Sequence, residues 1–184
     1  EFIDEVLEPG ETLHREYKLP GLPGTNTAIL EVSSIPPVDF GRRLKSLLAY
    51  PHGCLEQTTS AAFPQLFLGD TTELKKAAST KMENNVKAAI KRLQTFLLPS
   101  GGFVYWPNSG EANSWSTSYA GHFLLEAETR GYVLPVNFKK PWLKYQRKEA
   151  RRWKMSGDKY RMDDLVQAYR LYTLSLAGEP ELGA

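Results

Sequence analysis

The sequence has 184 residues, 41% apolar and 24% charged, with a net charge of +2. Such a chain can bury one core and a small second unit. The basic stretch 139–161 is interrupted by Trp142, Tyr145 and Trp153, which is typical of a solvated helix face and argues against a nucleic-acid site. No apolar run approaches the roughly 20 residues that span a bilayer. Without an initiator Met or signal-peptide pattern, we expect a segment of a longer protein.

The first 38 residues carry turn and strand signals. Residues 8–11 and 19–24 contain proline and glycine, and the apolar run 28–32 is followed by Pro36 and Pro37. This pattern predicts two short strands around a turn, at the edge of a preceding domain. A boundary near residue 38 separates them from a second domain, residues 39–184. That domain opens with helical spacing at Phe40, Leu44, Leu47 and Leu48.

The sequence then predicts five further helices, the second of which is marked by apolar residues spaced by three and four. They span about residues 55–63, 82–97, 114–130, 138–155 and 163–177. Pro64 ends the first, while Gly131 and Gly178 stop the third and the fifth. In the fifth helix, an apolar stripe is formed by Leu165, Tyr169, Tyr172 and Leu176. Successive helical hairpins predict a mainly α fold, the start of an α/α toroid or solenoid, with a short N-terminal β segment.

One motif in the sequence carries distinctive chemistry. Residues 50–60 read YPHGCLEQTTS, which places Cys54 and Gln57 three residues apart. On a helical turn such side chains are neighbours, with Cβ atoms roughly 5–6 Å apart. Thiolate attack on the carboxamide, with loss of ammonia, would join them through an internal thioester. Gly53 suits the sharp turn that this ring needs before the helix.

The motif and its surroundings resemble a known family. Residues 50–66 are similar to the thioester region of bacterial α2-macroglobulins, and the Gly-Cys-x-Glu-Gln core is shared with complement C3-like proteins. Residues 101–107 (GGFVYWP) and 115–127 (WSTSYAGHFLLEA) resemble the next segments of the same domain, in the same order. The similarity covers about residues 30–178.

The resemblance implies an α/α-toroid thioester domain within a larger multidomain protease inhibitor. In this family a protease cleaves a separate bait region, and the exposed thioester then acylates a surface amine of that protease. Gln57 would be the acyl donor and Cys54 the leaving thiolate, with no cofactor or metal. The implied partners are target proteases and the other domains of the parent chain. The implied location is the periplasm or cell envelope, with any membrane anchor outside this segment.

A thioester exposed to water hydrolyses, so we expect side chains to shield it. Six aromatic residues are candidates, and each could equally be an ordinary core residue: Tyr50, Phe103, Tyr105, Trp106, Trp115 and Tyr119.

The histidines bear on which nucleophiles react. Complement-type members use a downstream histidine to transfer the acyl group to hydroxyls, and no histidine follows His122 here. The corresponding region, residues 157–164, reads GDKYRMDD, so amines should be preferred. His52 could shuttle a proton during ring formation or only pack near the site. His122 is expected to be a core histidine. Glu56 should point away from the Cys–Gln face as a cap or ion-pair partner.

Two other functions remain open from the residues alone. Cys54 could be the nucleophile of a hydrolase or transamidase, with His52 or His122 as base. Alternatively, Cys54 could be an inert thiol in a structural module that docks to neighbouring domains. The toroid is shared with terpenoid cyclases, but the sequence has neither an acidic diphosphate-binding cluster nor zinc-ligand spacing.

Overall fold

The structure is a computed structural model that describes residues 5–16, 50–68, 76–154 and 162–181, together with single positions between 18 and 34 and Gly183. The chain divides into two compact units, Glu1–Val38 and Asp39–Ala184. In the first unit, the described residues form turns, such as the one closed by the Glu11 N–H on the Glu8 carbonyl at 3.0 Å. They contain no strand. Two positions of the predicted strand 28–32 lie outside the described residues, as does the helix predicted from Phe40.

The described part of the second unit contains five α-helices. They are α1 (Leu55–Ala62), α2 (Lys76–Leu93), α3 (Ser114–Thr129), α4 (Lys139–Arg152) and α5 (Met162–Leu176). Pro64 opens a separate 3₁₀ turn, Pro64–Leu66, because a proline cannot supply the N–H that would continue α1. All five predicted helices are therefore confirmed, with ends that differ by several residues.

Glycines end two of the helices as predicted. Gly131 follows α3 with φ +82° and Gly178 follows α5 with φ +78°. The Gly131 N–H donates to the Glu128 carbonyl at 2.9 Å, and the Tyr132 N–H donates to the Ala127 carbonyl at 3.0 Å. These bonds satisfy carbonyls that the helix end would otherwise leave unpaired.

The end of α2 differs from its prediction. The helix stops at Leu93, a 3₁₀ turn Gln94–Phe96 follows, and residues 97–103 fold back as a tight hairpin. The Val104 N–H donates to the Phe96 carbonyl at 2.9 Å, so this carbonyl is hydrogen-bonded across the hairpin. The hairpin directs the following residues, 104–106, towards α1.

The core lies between α1, α2, α3 and the start of α4. Its largest fully buried side chains include Phe96, Phe103, Phe123, Phe138 and Trp142. Gly121 lets the Trp142 ring approach α3 closely, because a Cβ there would lie 2.4 Å from that ring. The Trp142 indole N–H donates to the Thr117 carbonyl at 3.0 Å.

Helix α5 packs on α3 and α4 through a face that its apolar stripe predicts only in part. Its buried residues are Gln167, Arg170, Thr173 and Leu174, whereas Leu165, Tyr172 and Leu176 of the stripe are exposed. Arg170 donates to Gln167 Oε1 at 2.7 Å and to Gln146 Oε1 at 3.3 Å. Burial lowers the pKa of Arg170. A polar network, together with ring contacts of Tyr169 and Tyr172 on α3, therefore joins this helix to its neighbours.

Candidate functional site

Cys54 and Gln57 lie at the N-terminus of α1 and contact each other in two ways. Cys54 is the N-cap residue, and its backbone N–H donates to Gln57 Oε1 at 3.1 Å. In return the Gln57 backbone N–H donates to Cys54 Sγ at 3.5 Å. This reciprocal arrangement is a capping box in which the cysteine sulfur replaces the usual hydroxyl. It folds the carboxamide of Gln57 back over the residue that carries the thiol.

Gly53 makes this arrangement sterically possible. Its φ is +94°, a backbone conformation that residues with a Cβ rarely adopt. A Cβ at position 53 would lie 2.0 Å from Gln57 Oε1 and 3.0 Å from Gln57 Cδ. The glycine therefore leaves the space that the carboxamide occupies.

Burial differs sharply between Cys54 and Gln57. Cys54 is 3% exposed, while Gln57 is exposed. The Cys54 side chain is thus buried, whereas the Gln57 side chain is exposed.

Tyr105, in the segment that follows the hairpin, contacts the site at two points. Its carbonyl accepts the Leu55 N–H at 3.1 Å, which satisfies one of the unpaired donors of α1. Its hydroxyl donates to Glu56 Oε2 at 3.0 Å. Hydrogen bonding to Cys54 and to Glu56 raises the pKa of Tyr105 to about 12. Glu56 is therefore the hydrogen-bond partner of the Tyr105 hydroxyl.

Arg92 is a site residue that the sequence analysis missed. From the last turn of α2, it donates to the Gly53 carbonyl at 2.8 Å and to Thr58 Oγ1 at 3.2 Å. Its guanidinium lies over the Phe96 ring, 5.7 Å from the centroid. These bonds fix the peptide that precedes Cys54. The 39 residues between Arg92 and Gly53 explain why no local pattern could reveal the contact.

The other candidate aromatics lie in different surroundings. Phe103 is buried in the core against Phe138, and Trp115 packs on Tyr169 at a centroid distance of 5.1 Å. Tyr119 shares a hydrogen bond with Ser60 of α1 at 3.0 Å. Tyr50 and Trp106 are 62% and 53% exposed, and Trp106 lies beside Tyr105.

Neither histidine near the motif contacts Cys54 in the described hydrogen bonds. His52 Nδ1 donates to the Tyr50 carbonyl at 2.8 Å. His122 bonds to the Tyr169 hydroxyl at 3.0 Å and packs edge-on against Phe63. Burial lowers the pKa of His122, and Glu126 opposes this effect. His122 is thus part of a half-buried aromatic cluster.

The part of the chain that the structure describes contains neither a metal-binding cluster nor a membrane-spanning helix. These residues hold no group of three or more histidine, cysteine or acidic side chains arranged to bind a metal ion. None of the helices described is both long and apolar enough to cross a membrane.

The fold and the site define a class of protein: a helical-hairpin domain with a cysteine–glutamine pair at a helix N-terminus. The family described as "A-macroglobulin TED domain" matches residues 29–153, and the chain belongs to this family. The α2-macroglobulin of Escherichia coli K12 is 35% identical over an alignment of 142 residues, which covers 72% of this chain and 8% of that protein. The α2-macroglobulin of Rickettsia conorii is 32% identical over an alignment of 130 residues, which covers 68% of this chain and 7% of that protein.

Solved structures agree with this assignment. Native E. coli α2-macroglobulin, from domain MG7 to the C-terminus, is similar with a TM-score of 0.66 and 29% identity over 80% of this chain and 25% of that one. Salmonella α2-macroglobulin reacted with methylamine gives a TM-score of 0.65 and 28% identity over 80% of this chain and 10% of that one. The mainly α, partial α/α-toroid fold predicted from the sequence is therefore confirmed. The chain spans only a small part of each relative.

Proposed function

We propose that Cys54 and Gln57 form an internal thioester, and that this domain is the acylating part of a bacterial protease inhibitor. The observation that carries the proposal is the reciprocal capping box, which holds the Gln57 carboxamide over Cys54. The Cys54 N–H on Gln57 Oε1 would polarise the carbonyl during sulfur attack, as an oxyanion-hole donor does. Ring closure forms the S–C bond and expels ammonia.

The reaction of the Salmonella relative with methylamine supports this chemistry. A small amine is the simplest analogue of a lysine side chain on a captured protease. In the parent protein, cleavage elsewhere would expose the thioester, and a protease amine would displace the Cys54 thiolate to form an amide at Gln57. The domain would act once and would not turn over.

Protection from water would require further cover in the parent protein, because Gln57 is exposed in this chain. Tyr50 and Trp106, which are exposed near the motif, would form part of an apolar contact with another domain. We infer a location in the periplasm or cell envelope from the bacterial relatives.

Protease capture can be tested in the full-length parent protein. Incubation with trypsin should give a conjugate that survives boiling in detergent, and Cys54→Ala or prior methylamine treatment should abolish it. The matched control is Lys91→Ala, an exposed change on α2. A conjugate that persists in Cys54→Ala would contradict the proposal.

Nucleophile preference provides a second test. With no histidine beyond His122, we expect methylamine to react far faster than glycerol at equal concentration. Peptide mass spectrometry of residue 57 would measure the amide and ester products. Equal capture of both nucleophiles would overturn the preference for amines.

A cysteine hydrolase receives no support from the geometry. His52 is bonded to Tyr50 and His122 to Tyr169, so no described contact gives the thiol a histidine base.

A further inference from the structure

Arg92 directs a positive charge at the backbone of the candidate site. Its Nη2 donates to the Gly53 carbonyl at 2.8 Å, and its Nε donates to Thr58 Oγ1 at 3.2 Å. Thr58 is fully buried in α1. The guanidinium is therefore held at two points of the motif, one before Cys54 and one after Gln57. Hydrogen bonds from a charged donor are stronger than those between neutral groups.

No carboxylate balances the charge of Arg92 in the part of the chain that the structure describes. Arg92 is partly buried, and the described acceptors of its guanidinium are neutral oxygens. By contrast, Arg130, Arg147 and Arg151 each form an ion pair with a glutamate. Partial burial of an unpaired charge costs free energy. This cost points to a use for the charge at the site itself.

One amide group connects Arg92 to the Gln57 carboxamide. The Gly53 carbonyl, which accepts from Arg92, belongs to the same planar amide as the Cys54 N–H. That N–H donates to Gln57 Oε1 at 3.1 Å. Hydrogen bonds in such a chain strengthen one another, because a donor at the carbonyl polarises the N–H on the other side of the amide. The cation of Arg92 therefore makes the Cys54 N–H a stronger donor.

We propose that Arg92 is a positioning residue for the thioester chemistry, and that it acts through the Gly53–Cys54 amide on the acyl oxygen of Gln57. The inference rests on the thioester proposed above. In the described contacts Arg92 touches none of the reacting atoms. It fixes and polarises the N–H that does, and this N–H takes the place of an oxyanion-hole donor.

The acyl oxygen Oε1 carries the negative charge that develops in both reactions of the ring. In closure, the Cys54 thiolate attacks Cδ of Gln57, an electron pair moves to Oε1, and its return expels the nitrogen. The proton that the thiol loses ends on the departing ammonia. In capture, the lone pair of an unprotonated amine attacks the same carbon, Sγ leaves with the electron pair of the C–S bond, and the surplus N–H proton passes to water. A stronger Cys54 N–H lowers the barrier of each attack.

The test measures methylamine aminolysis of the full-length parent protein as release of the Cys54 thiol. Rate constants are normalised to the fraction of intact thioester, so that a lower yield of ring does not affect them. Arg92→Met removes the charge and both hydrogen bonds and keeps an unbranched side chain. We expect it to slow aminolysis about tenfold, less than the roughly 100-fold loss on deleting an oxyanion-hole donor, because the Cys54 N–H remains.

The direction of the change separates this role from a structural one. If Arg92 only packs α2 against α1, its loss loosens the site, and both hydrolysis and aminolysis of the intact ring become faster. Polarisation through the amide predicts that both become slower. Arg92→Lys keeps the charge and should react at a rate between those of Arg92→Met and wild type. The matched control is Lys91→Met, which removes a neighbouring exposed charge and should react at the wild-type rate.

The outcomes distinguish failure of this role from failure of the thioester. A rate in Arg92→Met that equals or exceeds that of wild type would overturn the proposal, as would Arg92→Lys reacting no faster than Arg92→Met. Should Arg92→Met yield too little ring to measure, Arg92→Gln, which is polar but neutral, takes its place and should be slowed as well. If wild-type protein takes up no methylamine and residue 57 stays glutamine, the proposed function fails first.

Discussion

Replacing Gly53 by alanine should prevent ring closure, since the added Cβ occupies the place of the Gln57 carboxamide. The Cβ would lie 2.0 Å from Oε1, so the side chain must move and lose its bond to the Cys54 N–H. That bond contributes about 1 kcal/mol. The positive φ of +94° costs an alanine roughly 1–2 kcal/mol more. We therefore expect unfolding free energy to fall by about 2–3 kcal/mol and thioester content to fall at least about tenfold.

Gly131→Ala is the matched control for this substitution. Gly131 also has a positive φ, +82°, but a Cβ there meets nothing within 4 Å. It should lose about 1–2 kcal/mol from backbone strain alone and keep its thioester. Urea denaturation would measure stability, and peptide mass spectrometry would identify residue 57 as glutamine, glutamate or methylamide. Glutamate reports a ring that formed and hydrolysed. Normal ring content in Gly53→Ala would refute the steric argument.

Three further changes test other parts of the structure. Arg92→Met removes two hydrogen bonds, including the one to the Gly53 carbonyl, and should cost about 2 kcal/mol in unfolding free energy while lowering thioester yield. Gly121→Ala forces a Cβ to 2.4 Å from the Trp142 ring and should destabilise the core by about 1–3 kcal/mol without a direct effect on the ring chemistry. The fold lowers the pKa of His122, so the contribution of neutral His122 to the free energy of unfolding should be fully present above about pH 6.5. This contribution should be lost as the pH falls towards the pKa of His122 in the folded state.

Each of these predictions has its own control. Lys91→Met, next to Arg92 and exposed, should leave both stability and yield unchanged. The control for Gly121→Ala is Gly110→Ala, which adds a Cβ in open space and should have little effect on the free energy of unfolding. The pH dependence of unfolding, followed by circular dichroism, should become flatter in His122→Gln. Stability that rises on acidification in the wild type would contradict the burial of neutral His122.

Much of the helical architecture could be predicted from the sequence, because its signals are local. Local sequence signals located all five described helices, and Gly131 and Gly178 marked two helix ends through their backbone freedom. The fold around α5 could not be predicted. Arg170 and Gln167 are polar and suggest an exposed face, yet they are buried because they satisfy each other and Gln146 of the neighbouring helix.

The same difference between local signals and contacts of distant residues applies to the candidate site. The spacing of Cys54 and Gln57 is local and predicted their pairing at the helix start. Arg92 and Tyr105 reach the motif across 39 and 49 residues of sequence, through the hairpin after α2. Their side chains could be placed only once the packing of α2 and that hairpin against α1 was known.

The intact mass of the chain, untreated and after methylamine, with titration of the Cys54 thiol, tests the central claim most directly. We predict an untreated mass lower than the encoded one by one ammonia and no free thiol, then a gain of one methylamine and one thiol on treatment. An untreated mass equal to the encoded sequence, with a free thiol, an unmodified Gln57 and no methylamine uptake, would contradict the claim that this pair forms a thioester.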